Sequence, residues 1–242
     1  LTQFSYAAWK GGKSNRSWRE SAALEKLESI KIQAEVFNPK YVIPFASFVY
    51  FSNIENFYLN DCKNTTSKIL NYFSKTDINI IIMKPGDILG SVLQNINSKK
   101  ANQFWMNFYE ELRFRNLNDF EIVDLQNLEK FFNIYRKRII KNNNFYLMRL
   151  IRLLSPIKMF HPVTIFINDI GQTIKFDYLK NYFKLTNDKP MIQMRSESLA
   201  FIFKNTFGFD TLTVNGCFEE ISAGGFAQAT KTMAIENFNN NG

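Results

Sequence analysis

The chain has 242 residues, with 30 Lys and Arg against 22 Asp and Glu, for a formal charge of +8 at pH 7. At 45% hydrophobic and 21% charged residues it has the composition of a folded protein with a core, which excludes a disordered or fibrous chain. No apolar run approaches the roughly 20 residues of a membrane-spanning helix, so no membrane partner is expected; the two cysteines, Cys62 and Cys217, do not make a disulfide scaffold, and a reducing, cytoplasmic setting fits them.

In chain order, "LTQF" at Leu1 reads like a strand already under way, and the chain is expected to begin inside a domain. Ser14 to Phe37 reads as a helix, with Trp18, Ala22, Leu24, Leu27, Ile30 and Ala34 at helical spacing, Ser14 or Ser17 as cap, and Asn38-Pro39 as the stop. Tyr41–Phe48 reads as a strand buried on both faces, because it is continuously apolar. "NTTSKILNYFSKT" is a short helix capped by Asn64 or Thr65, with Ile69, Leu70 and Phe73 inward; "INIIIM" is a second buried strand, and Lys84-Pro85-Gly86-Asp87 turns the chain. This alternation is that of an α/β layer.

After Ile88 the composition becomes helical, with a boundary near residues 88–101. "ANQFWMNFYEELRFRN" and "DFEIVDLQNLEKFFNIYRKRIIK" are amphipathic helices, and "NFYLMRLIRLL" continues as another until Ser155-Pro156. The densest positive group, Arg136, Lys137, Arg138, Lys141, Arg149 and Arg152, reads as a solvated face behind an apolar stripe. Nucleic acid is therefore not an expected partner. Short β-like runs follow, "HPVTIFIND", "QTIKFDYL" and "YFKLT", with a hairpin turn at Ile170-Gly171-Gln172. "RSESLAFIFKNTFGFD" is a helix capped by Ser196, "DTLTVNGCFEE" a last strand or turn, and "NFNNNG" a disordered tail.

The chemistry missing from this pattern narrows the function. His161 is the only histidine and precedes Pro162, where a structural role is expected. There is no His/Cys cluster for zinc, no GxGxxG after a strand, no P-loop and no nucleophile elbow. "KGGK" at 10–13 and "SAGGF" at 222–226 read as turns.

Three segments carry a resemblance: "LTQFSYAAWKGGK", "NPKYVIPFASFVYFSNIENFYLND" with "IMKPGD", and "MRSESLAFIFKNTFGFDTLTVNGCFEE". Together they resemble the C-terminal half of a metallo-β-lactamase-fold metallohydrolase, in the subgroup related to CMP-sialic-acid hydroxylase. The resemblance implies an α+β chain: part of an αββα layer over 1–95, a helical connector over 96–156, a small sterol-carrier-like α+β domain over 157–236, and a tail over 237–242. It implies a metal-dependent hydrolase or related oxygenase of sugar metabolism, acting on a small polar substrate such as a nucleotide-linked sugar. The divalent metal (zinc, iron or manganese) would be held by an HxHxDH motif in the N-terminal half, with no metal ligand expected in this chain.

In such a sandwich the loop after Phe51 is a pocket lip. Glu55 and Asp61 are then the candidate catalytic carboxylates, and Trp9, Asn53, Asn56 and Tyr58 the candidate substrate-binding residues. Two positions depart from the family pattern: Ala46 and Asn53 stand where related members carry histidine, and asparagine is a poor substitute for imidazole at a transition metal. Two other readings stay open. The loop is an ordinary surface crossing in which Phe57 and Tyr58 plug the core edge and the asparagines cap turns. Alternatively the protein is a non-catalytic binding or scaffold module, with Phe160, Phe166, Phe176, Phe183, Phe201, Phe203 and Phe207 either core or the wall of an apolar site.

Overall fold

A computed structural model describes residues 12–45, 48–88 and 97–234. The proposed first strand, Trp9, Ala46 and the terminal tail lie outside them. The described residues form an α+β fold in two units. One comprises Arg16–Ser52 and Phe57–Asn118; the other comprises residues 12–15, Asn53–Asn56 and residues 119–234.

In the first unit, α1 (Arg16–Phe37) buries Arg19, Ala22, Ala23, Leu27, Ile30 and Ala34, which share one helical face at three- and four-residue spacing. It ends at Asn38, whose N–H bonds Ala34 O at a φ of 44° ahead of Pro39. Thr65 caps α2 (Thr66–Phe73) by accepting Lys68 N–H, as its sequence predicts, and Asn97 caps α3 (Ser98–Leu112). Leu27, Ile30, Ile69, Phe73, Ile82 and Ala101 make the core.

Among the described residues the two strands expected here are reduced to a single parallel bridge, Val42 to Ile80. Pro44 has no N–H to extend a ladder, and the Ile82 N–H is taken by Ser98 Oγ at 3.1 Å. Burial on both faces is also corrected, because Phe45 is 69% exposed.

Lys63 is buried in this unit and among the described residues has no carboxylate partner. Its Nζ lies 3.8 Å from the Tyr109 ring centre and 4.4 Å from that of Tyr50, and donates to Val49 O. Burial, aided by Arg113 and Lys68, pushes its pKa down from 10.5 to about 8. The unfolded chain thus holds a proton that the folded chain releases between those values. Stability is expected to rise as pH goes from about 8 towards 10.5. Urea unfolding at stepped pH should show this slope, and Lys63→Met should flatten it.

The second unit carries the sheet. α4 (Leu125–Asn142) and α5 (Phe145–Leu154) start on Asp124 and Asn144, each accepting an N–H three residues on. β1 (Val163–Ile167), β2 (Gln172–Asp177) and β3 (Tyr182–Leu185) form an antiparallel meander. The chain then crosses to β4 (Ile192–Met194), which lies parallel to β1 with Ile165 opposite Ile192. α6 (Ser196–Lys204) and α7 (Gly208–Asn215) lead to β5 (Glu219–Glu220), antiparallel to β4, and α8 (Gly225–Met233) follows. The order is β3-β2-β1-β4-β5. The core is aromatic: the Phe203 ring packs 5.2–6.4 Å from Tyr135, Phe176, Phe132 and Phe183. Phe160, Phe176 and Phe203 are thus core residues, whereas Phe207 is 56% exposed.

Two expectations change in this unit. "DTLTVNG" is the end of α7, not a strand. Its alternating Thr-Leu-Thr-Val looks β-like, but Phe209 and Leu212 are buried three residues apart, and Gly216 closes the helix at φ 72°. "SAGGF" turns directly into α8. Ser196 is the first residue of α6 rather than its cap; Asp169 accepts both its N–H (2.8 Å) and its hydroxyl (2.7 Å).

Much of the positive group serves the fold. Arg138 donates to the carbonyls of Phe203, Lys204 and Asn205 at the end of α6, Arg136 donates to Tyr178 O, and Arg152 pairs with Asp177. Among the described residues no helix is long and apolar enough to cross a membrane.

Candidate ligand pocket

β1 and β4 run parallel side by side, so their carboxyl ends leave the sheet together. The residues just past them, Asn168 and Asp169 after β1 and Arg195 after β4, line a cavity of about 360 Å³ with Gln193, Lys13, Ile54, Glu55, Cys217, Phe218 and Glu219. Crevices beyond the carboxyl ends of parallel strands are common ligand sites, because chain reversal there opens a gap between loops. The volume lies at the small end of the usual range of roughly 300–1,000 Å³.

Arg195 organises the wall. Its Nη2 lies 2.8 Å from Asp119 Oδ1 and donates to Phe120 O, and its Nε is 3.1 Å from Glu55 Oε1 and 3.9 Å from Asp169 Oδ2. The guanidinium side chain is 16% exposed, Glu55 11% and Asp169 6%, so these charges meet at low local dielectric. Despite the short Nε–Glu55 distance, the buried Nε–H has no acceptor in line with it among the described residues.

Burial lifts the Glu55 carboxyl above its ordinary range; its own backbone amide and Arg195 pull it back in part, and Asp119 and Asp169 add to the rise. Glu197 is lifted as well, by burial and then by Glu55. On the opposite wall Glu219 accepts from Gln193 Nε2 at 2.7 Å and from the Lys13 N–H at 3.2 Å. The chain passes Glu219 so closely that a Cβ on Gly12, at φ +45°, would overlap its side chain.

The sequence-named residues separate. Glu55 faces the cavity. Asn53 Nδ2 lies 3.3 Å from Cys217 Sγ, behind the lining. Asn56 is buried; its Oδ1 accepts Asn53 N–H and its Nδ2 donates to Asn215 O at 2.7 Å, fixing the loop that carries Glu55. Asp61 and Tyr58 belong to the other unit. Asp61 forms a two-point pair with Arg19, at 2.7 Å and 3.2 Å. Burial acts to raise its carboxyl, but the bonds from Arg19 and Cys62 outweigh it and leave the pKa below the ordinary value. The Arg19 guanidinium sits 5.1 Å from the Tyr58 ring centre. Trp9 lies outside the described residues.

Sequence reasoning missed Arg195, Asp169, Gln193 and Glu219. The available signal was a charge directly after an apolar strand, Met194-Arg195 and Ile167-Asn168-Asp169, but only the β1–β4 pairing makes those ends neighbours. Burial pushes the Cys217 thiol up to about 12, which favours the protonated form over the thiolate.

Among the described residues no group of three His, Cys, Asp or Glu side chains is placed to hold a metal ion. The divalent metal that the resemblance implies is expected on an N-terminal motif and not on these residues, and the pocket lining is not assigned to it. Comparison of this chain with protein-family models, curated proteins and solved structures finds no match.

Proposed function

We propose that the sheet-bearing unit is the substrate-recognition part of a hydrolase for a polar, monosaccharide-sized ligand, free or nucleotide-linked, with Glu55 as the proton carrier. One observation carries this reading: a buried Arg195 Nε–H without an aligned acceptor stands beside a carboxylate whose pKa is raised, in an open cavity. A sugar hydroxyl answers both groups, accepting from Nε–H and donating to Glu55. Gln193, Asn168 and Glu219 supply further donors and acceptors around a ring-sized space. A carboxyl held above its ordinary range is also better matched to proton transfer near neutral pH.

The finer layering belongs to the same proposal. A meander followed by a crossover strand parallel to its first member supports a sterol-carrier-like domain over 157–236. The parallel bridge from Val42, between α1 and α2 in sequence, to Ile80, between α2 and α3, is the support for a metallo-β-lactamase-like layer over 1–95. An apolar-ligand module is less favoured, since Phe160, Phe176 and Phe203 are spent on the core.

Saturation-transfer NMR on the full chain, with free monosaccharides, sugar 1-phosphates and CMP- and UDP-linked sugars, tests the proposal. The expected result is saturable binding of at least one monosaccharide-sized probe, abolished in Glu55→Leu. Turnover of a bound probe should fall about a hundredfold in Glu55→Gln with KM nearly unchanged. No binding by any probe, or binding indifferent to Glu55→Leu, overturns it.

A further inference from the structure

α5 has two apolar faces where a core helix needs one. Met148 is fully buried and Phe145 and Ile151 are partly so, which is the inward face. On the other side Tyr146 (80% exposed), Leu150 (51%), Leu153 (80%) and Leu154 (69%) form a stripe at i, i+4, i+7 and i+8, and Ile157 (53%) extends it past the helix end. Bare leucines at this density are not explained by the fold, because the interior face already anchors the helix.

Beside the stripe runs an open groove of about 1120 Å³. Its charged lining is cationic: Arg149, Arg152, Lys158 and Lys180, with Leu150, Leu153 and Leu179 between them. Arg152 is neutralised by Asp177, whereas among the described residues Arg149, Lys158 and Lys180 have no ion-pair partner. His161 adds no counter-charge; burial, then Arg152 and Lys158, hold its pKa below the ordinary value.

We propose that this face docks the protein on an anionic lipid surface, with Leu150, Leu153, Leu154 and Ile157 entering the boundary between headgroups and acyl chains and Arg149, Lys158 and Lys180 taking lipid phosphates. Charge complementarity selects this occupant. An apolar crest flanked by unpaired cations matches the layered order of an anionic leaflet, hydrocarbon beneath phosphate. Aromatic Tyr146 at one end of the stripe suits the interface itself. The contact is peripheral, needs no spanning helix, and does not depend on the ligand pocket.

The test is sedimentation of the full chain with vesicles of pure phosphatidylcholine and of phosphatidylcholine with 30% phosphatidylserine. Binding is expected only to the anionic vesicles and should be lost at high salt. Each neutralised cation should weaken partitioning roughly fivefold, so that Arg149→Gln/Lys180→Gln lowers it by at least tenfold. Leu153→Asp/Leu154→Asp should abolish binding while leaving the melting temperature unchanged, as both side chains are solvent-facing. Equal sedimentation with both vesicle types, or wild-type binding by the Leu153→Asp/Leu154→Asp protein, overturns the proposal. So does concentration-dependent dimerisation that the same double variant removes, or saturable binding of an acidic amphipathic peptide without vesicle binding; these would assign the face to a second copy or to a protein partner.

Discussion

Arg195→Met is expected to destabilise the sheet-bearing unit by about 3–5 kcal/mol at pH 7, the range for breaking a buried ion pair by removing one member. Methionine restores most of the volume, so the loss is electrostatic. Glu55 and Asp169, both largely buried, then face each other and Glu197 with no cation between them. The pH dependence separates this from a packing defect. Burial already raises the Glu55 and Glu197 carboxyls and Arg195 opposes that rise, so without Arg195 these two titrate further above their unfolded values and the folded state binds more protons than the unfolded state. Stability therefore falls as pH rises through that window and recovers as pH is lowered through it. Urea unfolding of wild type and variant between pH 4 and 8 should show the gap closing towards acid. Adding Glu55→Gln to Arg195→Met should recover part of the loss at pH 7, because the two side chains share one interaction. A gap independent of pH would remove the charge argument and with it the electrostatic account of the pocket.

Arg152→Ala should cost a similar 3–5 kcal/mol for a different reason. Asp177 is 1% exposed at the end of β2; its Oδ2 meets Arg152 Nη1 at 2.7 Å, and its Oδ1 accepts the Leu179 and Lys180 amides that turn the chain into β3. Removing the guanidinium strands a buried carboxylate that the turn cannot release. Differential scanning calorimetry should show the melting temperature of this unit fall by about 10 °C. Arg152→Met/Asp177→Asn should be markedly milder than Arg152→Ala, since no unpaired charge remains. Arg149→Ala, on the same helix but exposed, should stay within about 0.5 kcal/mol of wild type. These contrasts mark which members of the Arg136–Arg152 group belong to the fold and which are left for a partner.

The pocket was half legible. Glu55 is recognisable in sequence as a carboxylate in a polar loop beside an apolar run, and that loop does reach a cavity. Its neighbours in sequence were poor guides to its neighbours in space. Asn56, an equally good ligand donor by type, is consumed by Asn215 O and Asn53 N–H. Asp61, six residues from Glu55, turns to Arg19 in the other unit. The residues that face Glu55 come from the ends of β1 and β4 and from Lys13, separated by up to roughly two hundred positions of chain.

What the sequence determined by itself is the local structure: the helices from α1 to α6, the Thr65 start of α2, the β1–β2 hairpin at Ile170-Gly171-Gln172, and the apolar faces that fill both cores, whereas α4 begins at Leu125 on Asp124 and not at Asp119 as its pattern suggests. Those follow from periodicity and from backbone groups satisfied within a few residues. The tertiary structure decided the rest. Among the described residues of the Tyr41–Phe48 run a single bridge forms, because strand pairing needs a neighbour with free amides, and Pro44 together with Ser98 denied it one. The Thr211–Val214 run became helix because burying Phe209 and Leu212 outweighed β-propensity. The pocket exists because β4 crossed to lie parallel to β1, a long-range pairing that no window of sequence contains.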